Sequence, residues 1–128
     1  MEITIHFTHV PIVIPEENRS SREVGACLEF QGILRELENG TALAGLFYEA
    51  YEPMARRRLE DHLAEIGREH PCVATCFIHR LGWVPVGEAS LFIRVVSAHR
   101  GEGLALLGKL LDRLKLDVPI WKRVRDSP

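Results

Sequence analysis

Apolar and polar residues alternate from the start of the chain. Ile3, Ile5 and Phe7 interleave with Thr4, His6 and Thr8, the period of two expected of a strand with one buried face. The stretch from Val10 to Val24 is bounded by prolines and then turns polar, so it reads as a loop. Gly25 to Arg35 predicts a second strand, with Ala26, Leu28 and Phe30 on one face and Cys27, Glu29 and Gln31 on the other. Glu38-Asn39-Gly40 carries turn chemistry, and Leu46 to Tyr51 returns as a strand rich in aromatic residues.

The period then changes. Pro53 suits the first turn of a helix, where its missing N–H costs nothing. Met54, Leu59, Leu63 and Ile66 predict a helical stripe, with Arg56, Arg57, Glu60, Asp61 and Glu65 outside it and Pro71 ending it. Cys72 to Ile78 reads as a strand, and Val84 to Ser97 as one long strand bent or bulged near Gly87. Leu104, Leu107, Leu111 and Leu114 mark the apolar face of a second helix, Val118 to Arg123 a last extended segment, and Arg125 to Pro128 a disordered tail. Strands joined by short turns pair antiparallel, so the order β, β, β, α, β, β, α, β predicts an α+β fold: two principal helices packed on a mainly antiparallel sheet.

With 128 residues, 46% of them hydrophobic, the chain is expected to form one domain, 1–128, with a core of its own. A formal charge of −2 excludes a surface built as a whole for nucleic acid or an anionic membrane, so an anionic ligand would need a local basic pocket. The apolar runs are too short to cross a bilayer, and MEITIHFTHV lacks the basic and apolar regions of a secretory signal, so a cytoplasmic location is expected. Three cysteines, Cys27, Cys72 and Cys76, form no disulfide framework, in keeping with a reducing compartment.

His70, Cys72, Cys76 and His79 are ligand types for zinc. On a strand, however, Cys72 and Cys76 share a face ~13 Å apart, too far for one ion. His79 projects to the face opposite Cys76. No metal site is therefore expected, and the cysteines read as packing residues. Ser97, His99 and Asp112 come without a nucleophile elbow. Gly101-Glu102-Gly103 lacks the third glycine of a dinucleotide loop.

The remaining chemistry is basic. Lys115 and Lys122 bracket KLDVPIWK, and two amines held near each other disfavour each other's charge. Burial beside Trp121 would act in the same direction, which suits proton transfer or nucleophilic attack. Arg35 closes one predicted strand, and His99 and Arg100 close another just before a helix whose end carries Lys115, with Lys122 and Arg123 beyond. Strand ends and a helix N-terminus can converge on an anion. Taken singly, each of these cations is more commonly a solvated charge.

The blocks GACLEFQGILR (25–35), LFYEAYEPMA (46–55), HRLGWVPVGE (79–88) and VGEASLFIRVVSAHR (86–100), ending in Pro119-Ile120-Trp121-Lys122, occur here in one order. In that order they resemble the catalytic (large) subunit family of molybdopterin synthase, the MoaE family. The resemblance implies that family's α/β hammerhead-type domain, with Lys115 and Lys122 as catalytic lysines and Arg35, His99 and Arg100 as substrate-binding residues. It also implies a sulfurtransferase acting on cyclic pyranopterin monophosphate to make molybdopterin, with no metal or other cofactor. Sulfur would come from a small ubiquitin-like subunit whose C-terminal Gly-Gly carries a thiocarboxylate, docked at each end of a homodimer to give a heterotetramer. The chain departs from the family at Val124, where a glutamate is common, and the family tail usually runs further. The alternative is a non-catalytic interaction module that binds the small subunit without turnover.

Overall fold

The computed structural model describes residues 1–17, 21–125 and 127–128. The elements run β1 (Glu2–Thr8), β2 (Ala26–Ile33), β3 (Leu37–Glu38), β4 (Thr41–Ala42), β5 (Gly45–Ala50), α1 (Glu52–Glu69), β6 (Ala74–Arg80), β7 (Gly82–Pro85), β8 (Ala89–Ser97), α2 (Arg100–Asp117) and β9 (Ile120–Arg125). One sheet has the order β1-β6-β8-β2 and a second the order β7-β5-β9, while β3 and β4 form a separate hairpin. Every pairing is antiparallel except β1 with β6, which the long connection through β2 to α1 allows to run parallel. The expected α+β, mainly antiparallel architecture is what forms.

Both helices use the larger sheet to bury their apolar faces. Ala55, Leu59, Leu63 and Ile66 of α1 and Leu106 and Leu110 of α2 meet Ile5, Phe7, Phe77, Leu91, Ile93 and Val95 in one core. Each of the fully buried large side chains is worth ~1.5–3 kcal/mol relative to exposure. Close approach of α2 to the sheet requires Gly103, because a Cβ there would stand 2.4 Å from Leu28 Cδ1 and 2.7 Å from Ser97 Oγ. A smaller cluster of Leu34, Leu46 and Val84 joins β5 and β7 to the end of β2. The β3–β4 hairpin turns at Asn39 and Gly40, whose φ values of 50° and 78° are those of a two-residue type I′ loop.

Several expectations change. The segment from Val84 to Ser97 is two strands in different sheets: Gly87, at φ 89°, turns the chain, and its N–H donates to Leu34 O at 3.0 Å. The strand expected from Cys72 begins at Ala74. Met54 is exposed and Ala55 takes its place in the core, because the α1 stripe follows spacings of four, four and three from Ala55. Leu104 is likewise exposed, and the fully buried line of α2 is Gly103, Leu106 and Leu110, with Leu107, Leu111 and Leu114 half-buried beside it. Arg125, expected in a disordered tail, pairs with Gly45 as the last residue of β9, while Asp126 lies outside the described residues. The predicted loop after β1 likewise includes Asn18, Arg19 and Ser20, outside the described residues.

Candidate active site

The end of α2 and the start of β9 are joined by a short link through Val118 and Pro119, which turns the chain back beside the helix. A cleft of about 460 Å³ lies there, and Lys115 and Lys122 both line it. Its walls include Phe30 and Gly32 from β2, Tyr48 from β5, His79 from β6 and Trp121 from β9. The antiparallel register sets Lys122 directly opposite Tyr48, so their side chains share one face of the smaller sheet. Asp112 lies on the same wall, one helical turn before Lys115.

The two amines stand in different surroundings from those the sequence suggested. Both lysines are exposed and Trp121 is half-exposed, so the expected burial of an amine against the indole is absent. Lys122 Nζ donates to Glu38 Oε1 at 2.6 Å, across from the β3–β4 hairpin. Lys115 has no ion pair with a described residue. Residues 122 and 124 share a face of β9, so Glu38 brings a carboxylate to the region where Val124 supplies none.

The remaining predicted residues are not in the cleft lining. Arg35 is exposed on the link between β2 and β3, three residues beyond Gly32. His99 is the N-cap of α2 and Arg100 its first residue, both exposed. Lys115 is fifteen residues further along the same helix, ~22 Å away at the usual rise. One chain therefore assembles the lysines in one place and the His-Arg pair in another.

The competing constellations do not assemble. The buried Ser97 hydroxyl donates to His99 O at 2.7 Å, and Asp112 is thirteen residues from His99 along α2, ~20 Å away. Among the described residues no group of three or more His, Cys, Asp or Glu could hold a metal ion. Cys76 faces a separate cavity of about 330 Å³ with Arg94, and His79 faces the lysine cleft. All three cysteines are free, and burial pushes each thiol pKa up, which makes them poor thiolate nucleophiles near neutral pH.

Sequence reasoning missed Tyr48, His79 and Glu38 as neighbours of the lysines. The alternation of β6 was the available signal for His79, since it places this residue on the same face as Thr75 and Phe77, toward the helices. Glu38 gave no such signal, because its contact spans 84 positions of sequence.

A family model described as MoaE protein matches residues 7–117. The molybdopterin synthase catalytic subunit of Oryza sativa subsp. indica is 40% identical over 99 residues, covering 77% of this chain and 51% of that protein. Its counterpart in Homo sapiens is 38% identical over 121 residues, covering 93% of this chain and 64% of that protein. The chain spans about half the length of the plant relatives it matches. Molybdopterin synthase from Staphylococcus aureus superposes with a TM-score of 0.80 at 30% identity, over 98% of this chain and 90% of that one. A protein-protein complex of subunits 1 and 2 of molybdopterin-converting factor from Helicobacter pylori contains a chain that matches with a TM-score of 0.69 at 25% identity, over 83% of this chain and 70% of that one. The family match, these identities and the shared fold agree with the order of the sequence blocks: the chain belongs to the MoaE family.

Proposed function

We propose that this chain is the catalytic subunit of a molybdopterin synthase, a cytoplasmic sulfurtransferase. It moves sulfur from the thiocarboxylated Gly-Gly end of a small ubiquitin-like subunit to cyclic pyranopterin monophosphate. The observation that carries this reading is the meeting of Lys115 and Lys122 in one aromatic-walled cleft in a chain of this family. Among the described residues no helix is long and apolar enough to cross a membrane, which is compatible with the location.

The two ammonium groups neutralise an incoming thiocarboxylate and the substrate phosphate, the electrostatic role that fixed cations serve best. As sulfur forms its bond to a pterin side-chain carbon and the C–O bond breaks, a lysine delivers a proton to the leaving oxygen. Water then hydrolyses the resulting thioester: the acyl C–S bond breaks, the partner's C-terminus leaves as a carboxylate and the sulfur stays on the pterin as a thiolate. Phe30, Tyr48 and Trp121 offer flat apolar surface to a heterocycle. Arg35, exposed beyond the Gly32 wall, and the His99-Arg100 pair hold the phosphate. Because His99 and Arg100 stand a helix length from the lysines, they serve the cleft of a second copy in a homodimer, and a small subunit docks at each end of that dimer.

Single-turnover conversion of the pyranopterin with a thiocarboxylated partner tests the reading. Lys115→Ala and Lys122→Ala are each expected to lower the rate by ~100-fold or more. Stability should change by less than ~0.5 kcal/mol, as for exposed side chains. Lys→Arg should not rescue either position, since a guanidinium stays charged and cannot pass a proton. A wild-type chain that forms the complex with its partner but does not turn over would favour the non-catalytic module instead.

A further inference from the structure

His79 and Ser90 are buried polar residues of the cleft lining that this scheme leaves unused, and His79 is the one with a ring nitrogen still unpaired among the described residues. Its side chain lies on the helix-facing side of β6, and the residue is only 5% exposed. Nδ1 lies 2.8 Å from Arg80 O. A carbonyl only accepts, so Nδ1 carries the proton and the neutral ring keeps its lone pair on Nε2. The ring is held between Tyr48, at 5.1 Å between centroids, and Phe77, at 6.3 Å. Burial lowers its pKa, with the bond to Arg80 O opposing in part, so the neutral form prevails near pH 7.

Nε2 has no hydrogen-bond partner among the described residues, yet it is not among the polar atoms sealed from solvent without one. The free edge of the imidazole therefore opens on the cleft that His79 lines. Around it stand Tyr48 from β5, Asp112 and Lys115 from α2 and Lys122 from β9, of which the last three are exposed. The Ser90 hydroxyl, also in the lining, is already turned to Gly32 O at 3.4 Å. His79 thus contributes a fixed acceptor at the buried side of a cleft whose charged groups sit at its rim.

We propose that His79 reads the substrate: its Nε2 lone pair accepts a hydrogen bond from a ring N–H of a heterocycle seated among Phe30, Tyr48 and Trp121. This assignment rests on the proposed function for the identity of the ligand. It adds orientation to the charge supplied by the lysines, because one directional acceptor fixes which edge of the ring enters first. A buried acceptor built for an N–H also discriminates against ring analogues that lack the donor, whose entry would leave Nε2 unpaired.

The test compares His79→Gln, whose amide reaches the Nε2 position, with His79→Asn, whose amide reaches only the Nδ1 position. Affinity for cyclic pyranopterin monophosphate is measured by calorimetry, and KM and kcat are measured separately with the thiocarboxylated partner. Asn is expected to weaken binding ~10-fold, the effect of losing one buried hydrogen bond, and Gln to stay clearly closer to wild type. Asn binding as well as Gln, or both binding like wild type, overturns the assignment. Should a variant fail to fold, the ¹⁵N resonance of His79 Nε2 in the wild type decides. It should have the position of an unprotonated ring nitrogen and move upfield when ligand is added, and an unchanged resonance with ligand bound overturns the assignment. Failure of the wild type to bind the pyranopterin would remove the proposed function itself, a separate outcome.

Discussion

Glu38 reaches Lys122 from beside a two-residue turn, and this contact bears most directly on how the cleft would work. Both partners are part-exposed, with side-chain exposures of 32% and 49%, so the pair adds at most ~1 kcal/mol to folding. Its larger effect is geometric: a long flexible amine gains one preferred direction. Glu38→Gln is therefore expected to leave thermal stability nearly unchanged while lowering kcat several-fold at constant KM. Adding Val124→Glu, on the same face of β9 two residues beyond Lys122, should restore part of the loss. Equal rates for wild type and Glu38→Gln in single-turnover assays would show that Lys122 needs no partner.

The contact between α1 and α2 is apolar beneath and charged on top. Arg113 bonds Glu65 at 2.9 Å, Lys109 bonds Glu69 at 3.0 Å, and His62 Nε2 meets Asp117 at 2.6 Å. Hydrogen bonds from Arg113, Lys109 and His62 hold the carboxyl pKa values of Glu65, Glu69 and Asp117 below their ordinary values. A carboxyl whose folded pKa is depressed contributes stability above its unfolded pKa and loses it as pH falls through the folded one. Acid unfolding followed by circular dichroism should therefore steepen below pH ~4. A Glu65→Gln/Glu69→Gln/Asp117→Asn variant should show a shallower fall there, and high salt should weaken the wild-type contribution because these groups are exposed. An identical acid profile for the variant would mean that the ladder is electrostatically idle.

The placement of His99 and Arg100 a helix length from the lysines gives the homodimer a direct test. Lys122→Ala and Arg100→Ala chains, each inactive alone on this reading, should recover activity when mixed and allowed to exchange subunits. A mixed dimer has one cleft with both defects and one with neither. No recovery, with exchange verified by mass, would place all five residues' work within one chain or remove Arg100 from the site.

Periodicity located both helices and the first two strands, because burial on one face imposes a spacing of two or about 3.6 on any chain, and the short turns between strands then predicted the α+β class. A turn at Glu38-Asn39-Gly40 was equally legible, since few residue pairs adopt two positive φ values, whereas the two short strands β3 and β4 that flank it were not. Pattern could not fix which neighbouring positions of a wide apolar stripe go innermost, as Met54 against Ala55 and Leu104 against Leu106 show. Those choices depend on the angle at which a helix meets the sheet. Nor could it divide Val84–Ser97 between two sheets, because a tight turn at Gly87 leaves the alternation on either side intact. The lysine pair was visible as nearby sequence around Pro119, whereas Tyr48, His79 and Glu38 join it only through strand pairing and packing between distant segments. Residue types announce chemistry locally, but a cleft is made by segments that meet across the fold, and that meeting is set by the packing of the core.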